Sequence, residues 1–515
     1  MDTVSRRATR ALTTLALAAA LGAPGLGAAT TSYEVDITHR ADDRFRVTVR
    51  LDAMESADSI FQFAATAPGT YQVMDIGRYV SDFQAFDDQG RAVPVTRVST
   101  NQWRFARPED VRTVRYAIAE TWDTPVTEHD VYMMCGTSLE DDHALVNPHA
   151  VMGYPARRQA DAVRVRYELP AEWKVGSALV PGADGWYHAE DYDQLVDSPF
   201  LMGPALTSAT VRIGDVPVEV WVYSASGVIR ADQLLGGMTD MLNSAGLFLN
   251  GLPVDRYAFL WHFEDVSQGA WEHSYSSVYV MAEPERWSAQ LGQTLTDIAA
   301  HEFFHVMTPL NIHSEVIEHF NFEEPTPSQH LWLYEGVTEW ASDVMQLRSD
   351  LIQLPTYLNK QLEKVVIDRQ FFDTAYSLRR LALTSYTDEG QAQYGNIYQR
   401  GALVAGLLDI RLLELSGGAR GLRELILELA DEYGKDRPFP EDRFFDIVAE
   451  KTYPQVGDFL RRYVRNAEPL PIAEYWAKLG IRFVDGQPPR FEIMPDATPG
   501  QLALREAWLR GRPAA

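Results

Sequence analysis

Two histidines four residues apart bracket a glutamate in "TDIAAHEFFHVMTP", residues 296–309. On a helix, positions i and i+4 share a face, with Cβ atoms about 6 Å apart, so His301 and His305 could grip one divalent ion. Glu302 would then be free to move a proton rather than bind the metal, the chemistry of a His-Glu-x-x-His zinc hydrolase. The pattern also arises by chance in long chains, so five residues do not decide the matter. A catalytic zinc needs a third protein ligand and one position open to water. One ligand set takes a further histidine six residues on, after a glycine. Here Thr308 stands at the glycine position and Asn311 at the histidine position, which excludes that set. His313, His319 and His330 fit no ligand spacing and are expected on the surface of an insertion rich in Glu, Asn and Pro.

The other set takes a glutamate from a second helix. "QHLWLYEGVTEWASDVMQL" (329–347) supplies Glu335, in an apolar-periodic stretch where a lone carboxylate would be costly. Glu339 follows one turn later on the same face, where two carboxylates repel unless a positive group lies between them. Zinc on Glu335, with the ring N–H of a ligand histidine given to Glu339, would resolve the repulsion. The plainer reading leaves Glu339 exposed. Asp297, one turn before His301, is a rival partner for the histidine ring.

These residues need elements to hold them. Residues 1–29 read as a secretory signal peptide: Arg6, Arg7 and Arg10 precede a short apolar run, and small residues surround Ala29. The paired arginines raise twin-arginine export, but the strongly apolar residues expected after them are missing. From 30 to 205, stretches such as "RFRVTVRLDA" and "AVRVRYELP" alternate like strands, and Asp87-Asp88-Gln89-Gly90 reads as a hairpin turn, so an all-β domain is expected. Strands continue in "VRIGDVPVEVWVYS", "RYAFLWHF" and "SSVYVM". Residues 288–307 then have helical length and spacing, ended by Pro309. Residues 206–348 are expected to form the mixed α/β domain with the histidine pair, 349–467 a helical domain, and 468–515 a tail or short helix. The fold class is multidomain α+β.

Composition limits the partners. With 46 Lys and Arg against 72 Asp and Glu, the chain carries a formal net charge of −26, which argues against nucleic-acid partners. No segment after the leader offers the roughly 20 apolar residues that span a bilayer, so no integral membrane segment is expected. An exported, periplasmic or secreted protein is expected. Cys135 is the single cysteine, so no intrachain disulfide can form, and its apolar neighbours mark it as a buried filler.

His301, Glu302, His305 and Glu335 together resemble the gluzincin arrangement of thermolysin-like metallopeptidases. The 29 residues between His305 and Glu335 make a longer gap than in the common gluzincin aminopeptidases. That gap and "HEFFH" resemble the glycyl aminopeptidase family, the sixty-first metallopeptidase family. So do "APGTYQVMDIGRYVSDFQAFDDQG" (67–90), "YDQLVDSPFLMG" (192–203) and "IYQRGALVAGLLDIRLLELSGG" (397–418), which occur in the family's order. The resemblance implies a thermolysin-like catalytic domain, one Zn²⁺ held by His301, His305 and Glu335, and Glu302 as general base. It also implies that Glu272, in "QGAWEHSYSS", binds the free amino group of a peptide, with a plain surface loop as the other reading. Tyr398 is implied as an oxyanion donor, with Tyr394 as its rival. Peptides with a free, small first residue (glycine or alanine) are the implied substrates. A zinc endopeptidase on the same scaffold and a non-catalytic peptide-binding protein are the alternatives. Two departures stand out. Met74 and Tyr79 occupy positions where basic residues are expected, which suggests a divergent branch. The 48 residues after 467 are too few for the PDZ domain that many members carry there.

Overall fold

The computed structural model describes residues 30–510. The leader reading of 1–29 lies outside these residues. In the first 170 or so described residues, alternating sequence becomes alternating burial. In Arg44–Leu51, Phe45, Val47, Val49 and Leu51 point into the core and their neighbours outward. Seven strands form the main sheet of this unit, and two four-stranded sheets complete it. The expected hairpin is present: Val80–Phe86 pairs antiparallel with Ala92–Val93, and the Asp87 carboxylate accepts from the Gln89 and Arg91 backbone N–H groups at 2.9 and 2.8 Å.

The chain then builds a five-stranded sheet. Its order is Thr207–Ile213, Val216–Ser224, Tyr257–Glu264, Ser276–Ala282, Gly269–His273, so the last is an edge strand running antiparallel to its neighbour. Two helices cover it, Ala231–Leu249 and Ala289–Phe304. The sequence reading passed over the first. Its signal was present, since Leu234, Leu235, Met238, Met241, Leu242 and Ala245 follow helical spacing and are buried.

Helices dominate from Thr338 onward, the longest being Asn396–Ser416. One hydrophobic core runs without a break from Ile213 to Trp508, so the α/β and helical regions are welded together. The N-terminal unit has its own core, into which Trp271, Phe320 and Phe322 reach. The stretch from 468 is not a loose tail. Ile472–Lys478, the hairpin Ile481–Val484 with Arg490–Ile493, and Pro499–Arg510 pack onto the helical region. Trp508 anchors the last helix against Tyr357 and Trp476, and its carbonyl accepts from Arg348 Nε at 2.8 Å. No helix among the described residues is long and apolar enough to cross a membrane.

Candidate active site

The helix Ala289–Phe304 ends at the motif. Its N-cap, Ser288, accepts from the Leu291 N–H at 3.1 Å, and His305 follows directly on the last helical residue. Both histidines turn their Nε2 atoms to one point, 3.3 Å apart. Glu335 meets them there, with Oε2 at 3.5 Å from His301 Nε2 and 3.6 Å from His305 Nε2. Around a tetrahedral ion with bonds of about 2.1 Å, donors stand about 3.4 Å apart. The three donors therefore already have the spacing of a zinc shell.

The far sides of the rings support this. The Nδ1–H of His305 donates to the Thr308 carbonyl at 3.0 Å, a group freed by the end of the helix. His301 Nδ1 meets Glu339 Oε2 at 2.8 Å. With Nδ1 engaged behind each ring, Nε2 is the atom each histidine turns to the shared point, where a metal could take it. Glu339 is thus a partner of His301, not an exposed carboxylate. It is held in turn by Lys364 Nζ at 2.6 Å. Burial works against its charge, but Lys364 and His301 outweigh burial and hold its carboxyl well below the usual range. The sequence reading missed Lys364. Asp297 is not a partner of His301; it pairs with Lys360 at 2.9 Å and accepts from Gln346 at 3.0 Å.

Glu335 sits on a widened π turn, Trp332–Val337, of the kind found at functional sites. Its neighbour Gly336 touches Gly401 on the helix Asn396–Ser416. A Cβ on Gly336 would lie 2.6 Å from the Gly401 backbone. Two glycines without side chains let these helices meet backbone to backbone. That contact brings Tyr398, one turn before Gly401, beside the cluster, with its ring 5.5 Å from that of His301. Burial, reinforced by Glu335, raises the Tyr398 pKa well above the usual phenol value, so it stays an O–H donor. Tyr394 packs against Tyr398, its ring 6.0 Å away.

Glu302 is buried beside His301, His305 and Glu335. Burial pushes its carboxyl up to about 7; His301 opposes this, and Glu335 and Glu339 add to it. Glu272 lies on the edge strand Gly269–His273, nine-tenths buried, and among the described residues its carboxylate makes no ion pair and no hydrogen bond to another residue. Its pKa is raised well above the usual carboxylate range by burial, then by Glu335 and Glu302. Surplus negative charge thus gathers at one point, as a divalent cation and an ammonium would require. Burial lowers His305 to about 4, which keeps its ring neutral, as a metal ligand must be.

The N-terminal unit completes the site. Gly69, at φ +75°, lies so close that a Cβ there would meet Glu272 Oε1 and Trp271 Nε1 at 2.7 Å each. Trp271 Nε1 donates to the Pro68 carbonyl at 3.1 Å. Tyr71 follows with a left-handed backbone, φ 47°, and its ring lies 5.5 Å from that of Tyr394. No local signal marked Tyr71, since its neighbours here lie hundreds of positions away in sequence. The long gap between His305 and Glu335 also has a structural use: Phe320 and Phe322 plug it into the N-terminal core, and the Phe322 carbonyl accepts from the Ala65 N–H at 2.7 Å. Two histidines of this gap region are not on the surface as expected. His313 bonds Glu318 at 2.6 Å, and His330 is packed among Phe439, Phe444 and Phe445.

Two family models match the chain: the Peptidase M61 N-terminal domain over residues 32–204 and M61 glycyl aminopeptidase over residues 294–404. The chain belongs to the M61 glycyl aminopeptidase family. It is a zinc metallopeptidase. No curated protein matches it. Among solved structures, it is similar to an aminopeptidase N family protein from Idiomarina loihiensis, with 19% identity, a TM-score of 0.78, and 88% of this chain and 79% of that one covered. It is also similar to an M1 zinc metallopeptidase from Deinococcus radiodurans, with 16% identity, a TM-score of 0.52, and 88% and 96% covered. At these identities the likeness speaks for the fold alone.

Proposed function

We propose that this protein is a zinc aminopeptidase that takes peptides by their free amino terminus. The observation that carries the reading is Glu272. A nine-tenths buried carboxylate with no ion-pair partner among the described residues lies beside the ligand cluster and is suited to hold an ammonium. His301, His305 and Glu335 would hold one zinc ion. Bound there, it would supply a Lewis acid and lower the pKa of water toward about 7.

The chain's own residues account for the remaining steps. Glu272 fixes the ammonium, which places the first peptide carbonyl at the ligand cluster and makes the reaction effectively unimolecular. Glu302 takes a proton from the attacking water and returns it to the leaving amine. The Tyr398 hydroxyl donates to the oxyanion as the tetrahedral centre forms. Glu339 and Lys364 keep His301 in one tautomer. Small first residues are the preference that the family resemblance implies for its substrates. We also propose export to the periplasm, on the strength of the leader-like first 29 residues.

The test compares alanyl anilide with its amino-acetylated form. The reading expects only the free amine to be cleaved, and Glu272→Gln to raise KM steeply for it. Equal turnover of the blocked substrate would establish the endopeptidase alternative instead.

A further inference from the structure

The first residue of a substrate has a short gap to occupy. Glu272, Glu302 and His305 each bring one donor atom within 4.8 Å of the others. With the ammonium on Glu272 and the first carbonyl at His301, His305 and Glu335, only the Cα of residue one lies between them. A turn of the N-terminal unit stands over this gap. Gly69 lies against Glu272 Oε1 and the Trp271 ring, and two residues on comes Tyr71. Tyr71 and Glu272 line a cleft of about 310 Å³, whereas His301, Glu302, His305, Glu335 and Tyr398 do not. On its other side Tyr71 faces the cluster: burial raises its phenol pKa well above the usual value, and Glu335 and then Glu272 add to this. Tyr71 therefore divides the gap from the cleft.

Tyr71 is held in place. Its left-handed backbone, φ 47°, is a state that a bulky residue keeps only where its surroundings fix it. Its carbonyl accepts from Gln391 Nε2 at 3.0 Å. Its ring packs on Tyr394 and Tyr386, at 5.5 and 6.0 Å between centroids, and Tyr394 packs in turn on Tyr398.

We infer that the Tyr71 ring is the wall that limits the first side chain of the substrate, so that the N-terminal unit sets the size selectivity of the catalytic domain. The inference rests on the reading that Glu272 holds the substrate's ammonium, which fixes where residue one sits. Glycine and alanine end short of the ring. A leucine side chain has to displace it, against two packed tyrosines and the Gln391 hydrogen bond. Removing the ring joins the gap to the cleft behind it and makes room for a longer apolar chain.

The test measures kcat/KM of the zinc-loaded enzyme for alanyl and leucyl anilides. In Tyr71→Ala the leucine-to-alanine ratio should rise roughly tenfold, mostly through the KM of the leucyl substrate. Tyr71→Leu, which keeps apolar packing at the position, should raise it by less. Tyr71→Phe retains the ring and should retain the wild-type ratio. Because both substrates meet the same enzyme, a smaller folded fraction does not move the ratio. A ratio unmoved in Tyr71→Ala and Tyr71→Leu, or moved as far by Tyr71→Phe, would overturn the inference. Acetylated alanyl anilide tests the underlying reading separately. Its cleavage at the free-amine rate would sink the role of Glu272, while the leucine-to-alanine ratio decides the wall.

Discussion

Among the described residues stand two groups of two histidines and a glutamate, and they look alike at first. In the first, Glu335 lies 3.5 and 3.6 Å from the Nε2 atoms of His301 and His305. In the second, Glu264 lies 3.7 and 3.1 Å from those of His143 and His262. All three donor atoms of each group lie within 4.8 Å of one another. The difference is behind the rings. His301 and His305 each have an acceptor for Nδ1–H, which leaves Nε2 free for a metal. His143 has Asp142 at 2.9 Å, but His262 Nδ1 is buried with no partner among the described residues. To bind a metal through Nε2, His262 would have to bury an unpaired N–H, a costly state. It instead suits an Nε2–H donated to Glu264 two residues along the same strand face. Ligand identity and spacing are therefore not enough. What orients the imidazoles decides which group is a metal site.

The comparison can be broken most sharply by metal analysis and one variant. The purified protein should carry one equivalent of zinc, lost in His301→Ala and kept in His262→Gln; two equivalents would erase the distinction. Glu302→Gln should keep the zinc and lower kcat on the order of 10³-fold. Next comes pH. Burial lowers His262 to about 4, although Glu264 opposes this. In the unfolded chain the ring titrates near 6.5, so between these values the unfolded state binds more protons. Stability from this residue should be lost as pH falls from about 6.5 to 4, by roughly 3 kcal/mol in all. Thermal midpoints of wild type and His262→Gln should therefore converge over that range, and parallel curves would count against it.

A smaller effect is expected behind the first group. Glu339→Gln should weaken zinc about 10- to 100-fold in chelator competition, while Asp142→Asn should leave zinc affinity unchanged. Smallest is the helix contact. Gly401→Ala forces a Cβ to within 2.8 Å of the Gly336 Cα. It should cost about 1–3 kcal/mol and reduce kcat by displacing Tyr398; an unchanged melting point and kcat would remove the glycine contact from the account.

Much of this was legible in the chain. The β-rich start showed in period-two alternation, and the histidine helix in its length and its spacing. Glu335 betrayed itself as a carboxylate in an apolar stretch, a cost that needs a partner. Other features were misread for physical reasons. The helix Ala231–Leu249 had its pattern but was passed over between strands. His313 and His330 were placed outside by a polar local composition, yet aromatic packing and single hydrogen bonds bury them. The stretch from 468 looked tail-like because its elements are short and broken by Pro and Gly, but Ile472, Trp476, Leu479, Ile481 and Trp508 are buried and anchor it.

The sequence by itself determined which side chains could share a metal and which carboxylate stands beside them, because that depends on side-chain chemistry and on i,i+4 helix geometry. It could not supply the assembly around them. Lys364 behind Glu339, Gly69 and Tyr71 against the edge strand, and the touching pair Gly336 and Gly401 join positions far apart in the chain. No local pattern encodes such contacts, because each arises only when separate elements bury their apolar faces together. Tertiary packing thus decided which of two similar clusters has an acceptor behind each imidazole.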